Sequence, residues 1–231
     1  MAFLNDEEFG RIAVRRSARA RQVRIRVAPD GSLRASLPLY APLFLVKRLI
    51  KTSRGELRAL LKNREGAITF TDGMQIGKSH SISVRYAAID ATYVKRTGLH
   101  IIATVPEALH VSQPEPQQAI RKEVIRALRI EAKNYLPRRI ERLAEQHGFS
   151  YSSLRFSHAS SRWGSCNSNG VISLNIALMK LPFELIDYVL VHELCHTKQL
   201  NHSPLFWKLV ESCHPNYLQS RQALKNQSPS I

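Results

Sequence analysis

The chain is poor in the residues that staple small secreted folds, with three cysteines, Cys166, Cys195 and Cys213, among 231 residues. An odd count without framework-like spacing excludes a disulfide scaffold and points to a reducing compartment, with Cys195 and Cys213 read as small buried apolar residues rather than metal ligands. Long apolar runs are missing too. The longest, around 37–46, is broken by Pro38 and Pro42 and is too short to span a bilayer. The opening Met1 to Glu8 carries acids where a secretory signal would be basic and apolar. These absences predict a cytoplasmic protein with no membrane segment. There is no Gly-x-x-x-x-Gly-Lys loop to cradle a phosphate, no internal repeat and no low-complexity tract.

Acidic residues are also scarce, 18 against 34 Lys and Arg, for a formal charge of +16. The imbalance is uneven: residues 1–150 hold 27 Lys and Arg against 14 Asp and Glu (+13), and residues 151–231 hold 7 against 4 (+3). Such a field attracts nucleic acid, acidic proteins or phosphorylated small molecules, and it equally describes a solvated basic surface. Charge alone names no partner, and the basic stretches lack the interleaved aromatics of a base-stacking surface. A hydrophobic fraction of 44% is enough for a real core.

The order of elements reads as α+β. Arg11–Arg16, Arg21–Val27 and Leu33–Leu37 predict an antiparallel β start, with Pro29-Asp30-Gly31 as a turn. Residues 42–63 turn helical, with a break near Ser53 to Gly55. Further strands are expected at 67–70, 81–86 and 99–104. Residues 115–148 read as two helices divided at Tyr135-Leu136-Pro137 and stopped by Gly148. Short strands at 154–157 and 170–174 precede a last helical region that Leu181-Pro182 opens.

That region carries His192-Glu193-Leu194-Cys195-His196 and, six positions on, His202. Residues four apart share a helix face, so His192 and His196 can bind one ion together with Glu193 beside it. Three protein ligands on zinc leave a position for water, whose pKa falls to about 7, and a neighbouring carboxylate can take its proton. Asn201-His202-Ser203-Pro204 reads as a reversal into a new helix, with Ser203 as N-cap and Pro204 at the first helical position. His202 is then the third ligand, with Glu211 or His214 on the following helix as alternatives.

Arg162-Trp163-Gly164-Ser165-Cys166, Ile172-Ser173-Leu174-Asn175, Asp187-Tyr188-Val189, the histidine motif, Asn201-His202-Ser203 and Phe206-Trp207 together resemble the YgjP-like metallopeptidase family and, more distantly, SprT-type proteases. The resemblance implies a zincin-like catalytic half with a small sheet packed on the metal-binding helix. It makes His192, His196 and His202 the zinc ligands and Glu193 the general base. The spacing also equals that of metzincins, but Gln199 stands where they place glycine, and no methionine follows Met179 to form their turn. The expected division is a basic, β-rich region with helices over 8–110 and a helical catalytic region over 111–227, joined as one unit.

Around the motif, Arg162 is a candidate for stabilising developing negative charge, or else for a loop-orienting salt bridge. Trp163 and Gly164 are read as shaping a tight turn, Asn175 as capping, Phe206 and Trp207 as core anchors, and Tyr217 as ending a helix. Asp187 lies too far round its helix from His192 to support it. The leading reading is a zinc-dependent metallopeptidase acting on a peptide or protein. Its alternatives are a nucleotide pyrophosphatase using the same metal, and a nucleic-acid-associated protein whose zinc site works on bound protein.

Overall fold

In the computed structural model, which describes residues 2–18, 20–27, 32–62 and 68–231, the chain divides into two units, Met1–Ile68 and Thr69–Ile231. In the first, apolar and arginine residues alternate, so that each strand turns one face inward. Strands β1 (Ala2–Asp6), β2 (Gly10–Arg16), β3 (Arg24–Val27) and β4 (Leu33–Leu37) form a sheet in the order β1-β2-β4-β3. Only β1–β2 and β3–β4 are antiparallel; β4 runs parallel to β2, which corrects the expected all-antiparallel start. The physical reason is the placement of β3 at the sheet edge, which leaves β4 to insert beside β2. The turn expected at 29–31 lies outside the described residues.

Helices α1 (Phe44–Thr52) and α2 (Arg54–Lys62) cover one face of this sheet, separated at Ser53 as the sequence predicts. Val46, Ile50 and Leu57 bury there against Leu4, Ile12, Val14, Leu33, Ala35 and Leu37. Asp6 and Glu8 take Arg54, and Glu8 also takes Arg58, which ties the β1–β2 turn to α2.

The second unit opens with β5 (Gln75–Ile76), β6 (His80–Ala87), β7 (Tyr93–Thr97) and β8 (His100–Pro106), in the order β5-β6-β8-β7. Of the strand expected at 67–70, residues 68–70 carry none and residue 67 is not described. Phe70 is buried there as a loop residue, its N–H and C=O both satisfied by the Gln117 side chain at 2.9 and 2.8 Å. Burial was the signal, and it did not need a strand.

Residues 114–147 form one helix, α3 (Pro114–His147), not two. Pro137 removes one N–H from the ladder, but Leu128, Ala132, Leu136, Ile140 and Leu143 keep one buried stripe continuous through it. Gly148 caps the helix in the left-handed conformation, as predicted. Helix α3 is fastened to the sheet before it. Glu131, 6% exposed, accepts hydrogen bonds from the N–H groups of Lys78, Ser79 and His80, from Ser79 Oγ, and contacts His80 Nδ1 at 2.6 Å. Gly77, at φ +61°, brings the turn this close, and a Cβ there would run into the Glu131 carboxylate and Leu128.

Beyond α3 come β9 (Ser153–Ser157), β10 (Gly164–Cys166) and β11 (Val171–Asn175), in the order β10-β11-β9. A 3-10 turn (Ile176–Lys180) leads into α4 (Phe183–Cys195), followed by α5 (Pro204–Cys213) and α6 (Tyr217–Lys225). The expected α+β class is therefore observed, with edge strand β10 packed on α4. Arg139 of α3 holds Asp187 of α4 through two hydrogen bonds of 2.7 and 2.6 Å, so Asp187 serves helix packing. Among the described residues no helix is long and apolar enough to cross a membrane.

Candidate metal centre

Helix α4 is buried on nearly every side, from Leu185 to Cys195, so its polar residues are held where neighbouring elements meet. His192 lies one turn before its end and His196 is its C-cap, still helical at φ −65°, ψ −19°. The chain then turns tightly, with Thr197 N–H and Oγ1 both donating to the Leu194 carbonyl. Ser203 caps α5 by accepting from Phe206 N–H, and Pro204 begins it, as the sequence predicts.

The reversal returns His202 to the end of α4. Its Nε2 lies 3.1 Å from His192 Nε2, and one ring nitrogen from each of His192, His196 and His202 lies within 4.8 Å of the others. Of the alternative third ligands, His214 is engaged with Ser220 Oγ at 2.9 Å and Glu211 is exposed. Phe206 stacks on His196 and Trp207 on His202, so α5 supplies an aromatic wall to the cluster as well as its entry cap.

The donor set suits a divalent metal ion. His196 Nδ1 sits 3.0 Å from the Gln199 carbonyl, so it carries the proton and leaves the Nε2 lone pair free. Burial pushes His192 down to about 3, helped by His196 and His202, and burial also lowers His196. Burial thus favours the neutral form of His192 and His196, the form that binds metals. Burial raises Glu193, 5% exposed, to about 8, and its Oε2 is buried without a partner among the described residues.

Glu193 has its place because the residue facing it is glycine. A Cβ on Gly164 of β10 would stand 2.5 Å from Glu193 Oε1, 2.7 Å from Cγ and 2.8 Å from Cδ. Gly164 thus provides clearance for a carboxylate, a different role from the tight turn expected of it. Gly164→Ala is expected to displace that carboxylate and lower kcat by roughly ten- to a hundredfold while metal content stays near wild type, as paired kinetics and metal analysis would show.

Beside Glu193 lies a cavity of about 210 Å³ lined by Arg162, Trp163, Tyr188, Val189, His192 and Leu224 among others. Arg162 is exposed at this cavity and makes no ion pair among the described residues; only its carbonyl is held, by Asn175 Nδ2 at 2.8 Å. Asn175 is wholly buried and caps the 3-10 turn through Ala177 N–H, as expected. Tyr217 opens α6 instead of ending a helix and stacks on Trp207. Cys195 is buried as expected, whereas Cys213 is only partly so. Sequence reasoning missed Tyr188, Leu224 and the clearance at Gly164. Tyr188 was within reach, since it stands four residues before His192 and therefore shares its face. Leu224 carried no signal, because its approach depends on how α6 folds back on α4.

A family model described as YgjP-like, metallopeptidase domain, matches residues 21–227. A match over that length places the protein among the metallopeptidases, a class of metal-dependent hydrolases. The chain belongs to the YgjP-like family. No curated protein matches it. Among solved structures, the metallopeptidase zymogen of Pyrococcus abyssi abylysin is 24% identical over 41% of this chain and 98% of its own, with a TM-score of 0.34. That of Methanocaldococcus jannaschii jannalysin is 19% identical over 38% of this chain and 95% of its own, with a TM-score of 0.32.

Proposed function

We propose that the protein is a zinc-dependent peptidase in which His192, His196 and His202 hold the metal and Glu193 is the general base. The observation that carries this reading is the buried carboxylate oxygen of Glu193, without a partner among the described residues, beside three converging imidazoles. When bound, zinc supplies a Lewis acid that polarises a carbonyl and acidifies water. Three nitrogen donors with an open side favour zinc in a catalytic arrangement over a closed structural site.

Glu193, whose ionised form is favoured by a cation held at the three histidines, takes a proton from the attacking water at its free oxygen and passes it to the leaving amine as the peptide bond breaks. Gly164 keeps the space for that carboxylate clear. Arg162, exposed and lining the cavity, receives the negatively charged oxygen of the tetrahedral species or a carboxylate of the substrate. The free edge of β10 can pair with an extended substrate by main-chain hydrogen bonds, which suits a peptide better than a nucleotide.

The test is metal analysis together with cleavage of an unfolded protein, before and after chelation, beside a panel of nucleoside triphosphates. About one zinc per chain and chelator-sensitive proteolysis restored by zinc are expected; triphosphate cleavage without proteolysis overturns the peptidase reading. Zinc at a hundred to a thousand times its Kd is expected to stabilise the protein by about 3–4 kcal/mol, seen as a fall in Tm on chelation.

A further inference from the structure

We infer that the outer face of the N-terminal sheet binds the phosphodiester backbone of nucleic acid. The helices α1 and α2 cover the inner face, and the outer one is exposed and carries arginine on all three strands β2, β3 and β4. The register sets their positions. Arg24 of β3 and Arg15 of β2 both pair with Ser36 of β4, so they stand in one row two strands apart, about 10 Å. Arg26, two residues from Arg24 and about 7 Å along the same face, pairs with Arg34. Arg11, next in line on β2, lies with its guanidinium 3.7 Å above the ring of Phe3, which is 50% exposed.

The described acids of this unit are placed elsewhere than beside Arg15, Arg24 and Arg26. Asp6 and Glu8 are turned to Arg54 and Arg58, Glu7 is in the β1–β2 turn, and Glu56 is on α2. The unit as a whole has 15 Lys and Arg against 6 Asp and Glu within residues 1–68. The described lysines of this unit lie on the helices, so the sheet presents guanidinium only, the group that takes phosphate oxygens two at a time.

The spread of charge selects the ligand. Cations 7–10 Å apart on an open sheet do not converge on one small anion; they meet a chain of regularly spaced anions. An acidic peptide would have to be ordered with Phe3 as its one exposed apolar anchor there, whereas a phosphodiester chain gains affinity directly from counterion release. One aromatic ring, covered by Arg11, gives no series of stacking platforms, so recognition is of the backbone and is tolerant of sequence. This inference does not depend on the metal centre.

The test uses the full chain and fluorescence anisotropy with labelled 20-nucleotide single-stranded and duplex DNA of mixed sequence, over a range of salt, with poly-glutamate as competitor. The combined change Arg15→Gln, Arg24→Gln and Arg26→Gln is compared with Lys47→Gln, Arg48→Gln and Lys51→Gln, which removes the same charge from exposed positions on α1. The sheet variant is expected to weaken binding about tenfold or more and to reduce the slope of log K against log salt by roughly 2–3, with the α1 variant much less affected. Equal losses in both variants, no binding at about 0.05 M salt, or poly-glutamate displacing DNA at matched charge would each overturn the inference. Circular dichroism confirms folding. If the triple variant fails to fold, Arg26→Gln alone must still reduce the slope by about 0.7–0.9, and an unchanged slope counts against the sheet.

Discussion

Glu193→Gln lowers kcat for peptide cleavage by roughly 10²- to 10⁴-fold, the range that a general base contributes, and leaves KM and metal content close to wild type. The change removes only the ability to accept a proton: the amide has the volume of the carboxyl, the three imidazoles are untouched, and Gly164 still faces the side chain across the same gap. A structural role would give a different signature. If Glu193 merely supported the fold, the variant would lose metal or melt early, and kcat per bound metal would hold. Metal analysis, thermal melting and steady-state kinetics on one preparation distinguish the two results, and full activity in the metal-loaded variant would remove Glu193 from the reaction.

Glu131→Ala destabilises the protein by about 3–5 kcal/mol, because it strands the donors of residues 78–80 that one carboxylate now satisfies. The effect depends on pH with a definite sign. Burial by itself raises the Glu131 carboxyl, but hydrogen bonds from His80, Lys78 N–H and Ser79 outweigh it and hold the group below its ordinary 4.5. A carboxylate depressed in the folded state contributes stability that is fully present above the unfolded value and is lost as pH falls through the folded one. The gap between wild type and variant in urea denaturation is therefore expected to be widest above about pH 5 and to narrow in stronger acid. A gap that stays constant down to pH 2 would refute the charged-carboxylate account.

The clustering of the three histidines was legible because its geometry is local. His192, Glu193 and His196 are placed by one helix, and His202 by a reversal whose N-cap Ser203 and following Pro204 are visible as letters. Gly164 shows the limit of that reading. Its glycine was apparent, but the reason for it is the carboxylate of a residue 29 positions away, a fact of packing that no spacing encodes. The sheets were legible as strands and not as sheets. Alternation located β2, β3 and β4, yet the parallel pairing of β2 with β4 depends on which edge the chain takes after β2, and two-residue β5 is too short to show a period. Pro137 misled for a physical reason: one lost hydrogen bond is outweighed by an apolar stripe that continues on both sides of it.

Helix α3 grips two partners eight residues apart, the sheet turn through Glu131 and α4 through Arg139. At 1.5 Å per residue this makes it a spacer of about 12 Å whose two grips also hold a fixed rotational phase. Length and phase cannot be changed separately. A single residue inserted between Glu131 and Arg139 would turn one grip by about 100° relative to the other, so evolution can lengthen the loops around this helix freely but can alter its middle only in whole turns.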